Sequence, residues 1–364
     1  MNNDLINIAS QFNLPGAIKS IEPYGNGHIN DTYLIKTTDP GNPGYILQRK
    51  NHHVFKDIPG MMENIIRVTK HIREKLESEG IPDINRKAIS HLPASDGNYF
   101  YKDDRGNYWT VFLFIEGCKS YEKIEKPSQA YLAGKAFGQF QKQLSGLPGK
   151  PLNETIADFH NIEFRLGNFE KAKSINFQNR CKEAEEEIKF AHSLADEMKT
   201  LLKAQKEGEI PLRITHNDTK INNILFDQDG HILCVIDLDT VMPGLVHYDF
   251  GDAIRTAANT AEEDETNLRA ITVNLEVFES FTRGFLEELK EVLSGKEKGL
   301  LAHSAKFMAY IMGLRFLTDF LEGDTYYKIK HPAHNLERAR AQFRLVEEME
   351  ANMEEMKRIV ARYS

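Results

Sequence analysis

The sequence predicts an α/β (α+β) chain in which strands and helices are segregated, and three observations carry this. Short β-branched and aromatic runs punctuated by Gly and Asn fill the first third. Apolar residues at helical spacing take over from Pro127. Two short apolar runs, residues 223–226 and 232–236, then interrupt the helical part and flank Asp227-Gln228-Asp229-Gly230. That pattern reads as a β-hairpin with a Gly-containing turn. The expected division is residues 1–115, a mainly antiparallel sheet with one helix, and residues 116–364, mainly helical and carrying the hairpin.

Taken in order, residues 1–14 read as a short helix stopped by Pro15-Gly16. Residues 18–23 and 30–37 read as strands joined across Gly25-Asn26-Gly27. A glycine pair lets backbone approach a phosphate and offer N–H groups to it, although the same GxG in isolation is a plain turn. His28 and Asn30 follow, either facing a substrate or ending a strand. Residues 45–49 form the next strand, and a period of two sends Gln48 and Arg49 to opposite faces. Residues 61–79 form a helix with apolar positions 61, 62, 65, 66, 72 and 76, ended by Gly80-Ile81-Pro82. Residues 87–91, 98–102 and 107–115 read as strands, the last broken by Glu116-Gly117. Trp109 on it either stacks on a base or fills the core.

The helical part begins with residues 128–144 and 158–175, then one charged helix over 181–206 with a solvated Glu-rich face. Beyond the hairpin, Asp249 starts a helix where its carboxylate can accept N–H bonds from the cap or from the loop before the hairpin. Helices are expected at about 274–293, 297–321 and 335–362. In the second, Leu300, Phe307, Leu314, Leu317 and Leu321 form a core stripe. Arg315 and Asp319 share another face at i, i+4, the spacing of a surface ion pair.

Composition bounds the class. The chain has 364 residues, 41% apolar and 27% charged, the proportions of a soluble globular protein long enough for two lobes. A net charge of −8 without a basic cluster argues against a nucleic-acid partner. Met1-Asn2-Asn3-Asp4-Leu5-Ile6 lacks the basic and apolar regions of a signal peptide, and no apolar stretch has bilayer length. Cys118, Cys181 and Cys234 are far apart, which fits free thiols in a reducing cytoplasm and makes the N-x-Thr triplets at Asn30, Asn153 and Asn217 chance matches.

The hairpin carries the chemistry. Asp218 and Asn223 lie five positions apart just before its first strand, and Asp237 follows its second. Because a hairpin returns the chain to its start, two carboxylates and an amide meet at one end of a ribbon. Mg²⁺ takes hard oxygen ligands and keeps waters, so Asn223 and Asp237 suffice to hold it. Asp218 is then left to orient an attacking hydroxyl and accept its proton. Protein kinases use the same order and spacing for transfer of a phosphoryl group from a nucleotide. Asp239, two residues after Asp237, is a lesser metal candidate and would be the second acid of an Asp-x-Asp metal site.

The stretch Thr215-His216-Asn217-Asp218 through Asn223, with Ile236-Asp237-Leu238-Asp239, resembles the Brenner-type motif of the aminoglycoside phosphotransferase and choline kinase superfamily. Gly25 through Tyr33, Tyr45-Ile46-Leu47-Gln48-Arg49, Arg315 through Asp319, Gly323-Asp324-Thr325-Tyr326-Tyr327 and His334-Asn335-Leu336 are similar to N-acetylhexosamine 1-kinases. The likeness covers most of the chain, in order. It implies a two-lobed protein-kinase-like fold, with a nucleotide-binding lobe at 1–115 and a catalytic, substrate-binding lobe at 116–364. ATP and Mg²⁺ are the implied cofactors. The implied reaction moves the γ-phosphoryl of ATP to the anomeric hydroxyl of an N-acetylhexosamine, in a cytoplasmic enzyme with no membrane partner. The resemblance makes Glu116-Gly117 the hinge that meets adenine and puts Arg315 and Tyr326 in the sugar pocket. It aligns Gln48 with the phosphate-binding Lys of kinases, with Arg49 and Lys50 one and two residues away. Glu63 is then either the helix partner of a strand cation or a solvated residue. Rival expectations are a kinase of choline, homoserine or an aminoglycoside, an Asp-x-Asp glycosyltransferase, and a non-catalytic nucleotide-binding module.

Overall fold

In the computed structural model, which describes residues 3–25, 29–39, 41 and 44–364, the antiparallel sheet comes early and helices fill the rest. Strands β1 (Ile18–Pro23), β2 (Asp31–Thr37), β3 (Tyr45–Lys50), β4 (His91–Leu92), β5 (Tyr101–Lys102) and β6 (Tyr108–Leu113) form one sheet. Its order is β1-β2-β3-β6-β4, with β5 also on β6. Alternation along β3 decides what each face does. Tyr45 and Leu47 point with Trp109 and Val111 into a core closed by helix α1 (Asn3–Ala9) through Leu5 and Ala9. Ile46, Gln48 and Lys50 point to the opposite face and line a cavity. Trp109 is 4% exposed and its Nε1 donates to Asp103 Oδ2 at 2.9 Å, so it is a core residue.

Helix α2 (Ile58–Ser78) starts at Asp57, whose side chain accepts from Gly60 N at 2.9 Å. A Cβ at Gly60 would lie 2.2 Å from Asp57 Oδ2, so a larger residue there would make the capping carboxylate shift. Met61, Met62, Ile65, Val68, Ile72 and Leu76 form its buried stripe. Helix α3 (Ile84–Lys87) occupies part of the expected strand 87–91, and only His91 and Leu92 pair as β4. Long-range side-chain anchors hold this short helix: Arg86 donates to Gly117 O at 3.2 Å and Lys87 to Ile232 O at 3.0 Å.

The chain folds as two units that are not contiguous in sequence. The first contains residues 1–121, 143–157 and 222–243, the second residues 122–142, 158–221 and 244–364. The hairpin strands β8 (Ile224–Asp227) and β9 (Ile232–Val235) group with the first unit because β7 (Cys118–Lys119) pairs with β8, Cys118 opposite Asp227 and Lys119 opposite Phe226.

Helices α4 (Pro127–Leu144), α5 (Ile162–Ile175), α6 (Glu185–Leu194), α7 (Thr200–Lys206) and α8 (Val246–Ala257) come next. They are followed by α9 (Leu275–Leu289), α10 (Gly295–Gly299), α11 (Leu301–Glu322), α12 (His334–Ala351) and α13 (Met353–Tyr363). Within the second unit α11 is central: Phe307, Tyr310, Leu314, Phe316 and Leu317 are all at most 1% exposed. Helices α4 and α9 cross closely at two glycines. A Cβ on Gly134 would lie 2.1 Å from Phe281 O, and one on Gly284 2.1 Å from Tyr131 O.

Three expected long helices are broken, each for a local reason. In residues 181–206 the helix starts only at Glu185, after a tight segment in which Gln178 and Asn179 take positive φ, and it splits where tight turns occupy 195–199. Residues 297–321 split after a capping box in which Ser294 and Glu297 satisfy each other's backbone. Residues 335–362 split at Asn352, whose side chain bonds Glu348 O at 2.8 Å.

Candidate active site

The first unit holds a cavity of about 250 Å³ between its sheet, α2 and the hairpin. Ile46, Phe114, Ile115, Leu225 and Ile236 make one part apolar, while Gln48, Lys50, Asn223, Asp237 and Asp239 make the other polar. The hairpin sets this polar end. Val235 lies opposite Ile224 and Ile236 N donates to Asn223 O at 2.9 Å, which holds Asn223 beside the Asp237 turn. Asp237 has φ 58°, a left-handed conformation that Asp tolerates better than most residues, and it starts the tight turn Leu238–Thr240.

Asp239 is 4% exposed and accepts from Lys50 Nζ at 2.6 Å and from Asn30 Nδ2 at 2.8 Å. Lys50 also donates to Gln48 Oε1 at 2.5 Å, and Gln48 Nε2 donates to Thr32 Oγ1 at 3.2 Å. Asn30 accepts from Asn51 N at 3.0 Å. A buried Asn64 on α2 donates to Asn153 O at 2.7 Å and to Val241 O at 2.9 Å, which ties the helix to the end of the Asp237–Asp239 turn. Its neighbour Glu63 points outward to Lys150 at 2.9 Å, so the cation of β3 is paired by Asp239 and not by this helix. His91, also lining the cavity, is pushed down to about 3 by burial and by the Lys50 charge, against the pull of Asp239.

In the second unit the loop carrying Asp218 is held from beneath. The buried Asp249 carboxylate accepts from His216 N at 2.9 Å, Asn217 N at 2.7 Å and Gln141 Nε2 at 2.5 Å. Burial raises its pKa in spite of those bonds. Thr219 Oγ1 donates to Asp249 O at 2.6 Å, and His216 packs edge-on against Phe137 and Phe140. Asn217 adopts φ 65°, which turns Asp218 out of this anchored base. Asp218 meets Lys220 Nζ at 2.8 Å, and that carboxylate raises the Lys220 pKa against its burial.

Around this loop the second unit concentrates arginines. Arg255 pairs with Asp252 at 2.7 Å and Glu263 at 3.2 Å, and Arg338 with Glu263 at 2.5 Å. Arg315 lies over the Phe159 and Tyr327 rings, 5.2 and 5.7 Å from their centres. Arg165 donates to Phe159 O through Nε at 3.2 Å and Nη2 at 2.8 Å. Burial and the neighbouring Arg315 charge push Arg165 down to about 10. His160, 6% exposed, is held neutral by burial and by Arg315, Arg165 and Arg255. The Asn217 backbone draws on that ring, but neither ring nitrogen completes a hydrogen bond.

The structure brings Gly25, Gln48, Asn223, Asp237 and Asp239 to one cavity, with Asn30 bonded to Asp239. Asn26, Gly27 and His28 lie outside the described residues. Arg49 takes the α1 face, where it pairs with Asp31 and sits 6.0 Å from the Trp109 ring centre. Arg315 does not pair with Asp319. That carboxylate is 3% exposed and accepts from Thr325 N, Tyr326 N and Tyr327 N at 2.9, 2.8 and 2.9 Å, and from Asn335 Nδ2 at 2.8 Å. Tyr326 is 62% exposed, edge-on to Tyr327 at 4.8 Å. Sequence reasoning named Lys50 only as lying two residues from the aligned position and did not choose it, although it shares the strand parity of Gln48. It also passed over His160 and Arg165, for which no spacing signal exists.

The fold is that of the protein-kinase-like aminoglycoside phosphotransferases. The phosphotransferase enzyme family matches residues 20–286, and the chain belongs to that family. Among solved structures it is similar to a microcompartment-associated aminopropanol kinase, with a TM-score of 0.59, 14% identity and 98% of each chain covered. It is similar to spectinomycin phosphotransferase in complex with ADP and spectinomycin, with a TM-score of 0.60, 14% identity, and 97% of this chain and 98% of that one covered. It is also similar to choline kinase from Cryptosporidium parvum Iowa II, with a TM-score of 0.58, 14% identity, and coverage of 98% and 97%. Among the described residues no helix is long and apolar enough to cross a membrane.

Proposed function

We propose that the protein is an ATP-dependent small-molecule kinase that phosphorylates the anomeric hydroxyl of an N-acetylhexosamine to give the 1-phosphate. The observation that supports it most is the first unit's cavity, apolar on one side and ending in Lys50, Asn223 and Asp237. An apolar slot suits a base, and a cation beside hard oxygen donors suits its phosphates. In this reading Gly25, Asn26 and Gly27 are the residues assigned to the phosphates, and Lys50 takes the role first assigned to Gln48 or Arg49. Asn223 and Asp237 fit Mg²⁺, offering an amide oxygen and a carboxylate in the same cavity, while Asp239 is already engaged by Lys50 and Asn30. Once bound, the ion neutralises charge on the phosphates.

Asp218 orients the acceptor hydroxyl and takes its proton. Its loop is pinned by Asp249, so the carboxylate is pre-positioned and little ordering is left for the moment of reaction. Arg315, Tyr326, His28 and Asn30 are the acceptor contacts carried over from the sequence reading. The two parts of the chain serve as nucleotide-binding and catalytic lobes of a cytoplasmic enzyme whose partner is a small-molecule sugar. A second reading, a kinase of an amino alcohol such as choline or aminopropanol, is supported by what the similar structures are named for. A panel of N-acetylhexosamines, choline, aminopropanol and an aminoglycoside, assayed for ADP release, tests both. Turnover confined to the amines would overturn the sugar assignment.

A further inference from the structure

We propose that Arg165 and Arg315 form a charge filter that excludes ammonium-bearing acceptors and, with His160 and Tyr327, presents donors to an uncharged or anionic oxygen group. The inference rests on the kinase reading above and deepens it by naming the acceptor class.

Four observations carry it. First, the two guanidinium groups converge on the same aromatic pair: Arg165 is tied to Phe159 O, and Arg315 lies over the Phe159 and Tyr327 rings. Second, among the described residues neither guanidinium has a carboxylate at ion-pair distance. The nearby acids are engaged: Asp252 by Arg255, Glu263 by Arg255 and Arg338, and Asp158 by Asn161 Nδ2 at 2.7 Å, although Asp158 still draws on Arg165. A half-buried cationic pair without counter-charge is unfavourable unless a ligand group supplies the missing acceptors.

Third, both ring nitrogens of His160 and the hydroxyl of Tyr327 are buried without a hydrogen-bond partner. Orphaned buried polar atoms are uncommon, and three in one cluster point to a ligand. Fourth, the cluster borders the proposed base. His160 feels both Arg315 and the Asn217 backbone, one residue before Asp218. An ammonium group brought here would meet two positive charges that lack ion-pair partners, whereas an acyl oxygen, a hydroxyl or a carboxylate would meet donors in fixed planes.

The test compares N-acetylglucosamine with glucosamine, which differ at C2 by an acetamide against an ammonium. Wild-type protein should prefer the acetamide by roughly 100-fold in kcat/KM, the scale expected when repulsion and lost hydrogen bonds add. Arg165→Gln and Arg315→Gln should each narrow the preference about tenfold, and partly by raising turnover of the amine. Tyr327→Phe should raise KM for the acetamide. A preference unchanged in both Arg variants, or equal use of the two sugars by wild type, would overturn the filter. Should the variants not fold, the pH profile of the wild type decides. Glucosamine turnover must climb toward that of the acetamide as its amine deprotonates, and parallel profiles refute the filter. If wild type uses neither sugar, the sugar reading fails on its own. The filter is then judged on choline against its uncharged carbon isostere, where a preference for choline overturns it.

Discussion

Lys50 Nζ lies 2.6 Å from Asp239 Oδ1, and both side chains are almost excluded from solvent, at 3% and 6%. The pair joins β3 to the turn after the hairpin across 189 residues of sequence. Such a pair adds little net stability when whole and leaves an uncompensated charge when broken. Lys50→Met should therefore lower stability by about 3–5 kcal/mol and also raise KM for ATP at least tenfold. The double change Lys50→Met with Asp239→Leu should recover much of the stability and none of the ATP affinity. Urea melts and steady-state kinetics on the two variants check this. Wild-type stability in Lys50→Met would show that the pair is not formed in solution.

Asp218→Asn keeps the shape of the side chain but cannot take a proton. It should lower kcat by about 10²-fold or more with nearly unchanged nucleotide affinity. Nucleotide binding followed by calorimetry separates the two effects, and undiminished turnover would remove Asp218 as the base.

Asp237→Ala and Asp239→Ala should fail differently. The first should abolish Mg²⁺-dependent turnover while the protein melts near the wild-type temperature. The second releases Lys50 and Asn30 and should lower Tm as well as raise KM for ATP. A Mg²⁺ titration monitored by activity, alongside thermal melts, tells them apart. If Asp239→Ala shifts only the Mg²⁺ requirement, the ligand assignment is reversed.

Acid should destabilise the fold before ordinary carboxylates titrate. Burial holds His91 at about 3, His247 and His303 at about 4, and His160 well below its usual range. Unfolded chains protonate these rings below about 6.5, so between that pH and about 4 the unfolded state binds more protons and stability falls as pH falls. Asp249, with its raised pKa, acts in the opposite sense. The urea midpoint should drop between pH 7 and pH 5, and His247→Gln should flatten part of that slope. A flat midpoint over this interval would count against neutral buried histidines.

The parts legible in sequence were those with local signals. The hairpin follows from two apolar runs around Asp227-Gln228-Asp229-Gly230, and it alone brings Asn223 beside Asp237. The α2 stripe and the two-part layout of sheet and helices are equally local. Lys50 was named but not chosen because its partner lies on another element, and Arg165 and His160 were missed because three-dimensional neighbours define them. Asp319 looked like the partner of Arg315 at helical spacing, but three backbone N–H groups of residues 325–327 outcompete a guanidinium for its carboxylate. The late start of the helix in residues 181–206 and the break in residues 297–321 depend on Gln178 and Asn179 taking positive φ and on a buried Glu297 serving both the Ser294 cap and Arg213 at 2.6 Å.

The glycine crossing of α4 and α9 bears on how mutational data for this protein are interpreted. With 2.1 Å between a would-be Cβ and a facing carbonyl oxygen, even alanine at Gly134 or Gly284 forces two helices apart. In a library scored by growth or turnover, both positions will rank beside Asp218 and Asp237 as intolerant of every replacement, yet neither has been assigned a ligand contact. Scoring the same library for the amount of folded protein separates the two groups. The glycine variants disappear from the soluble fraction, while Asp218→Asn remains abundant and inactive.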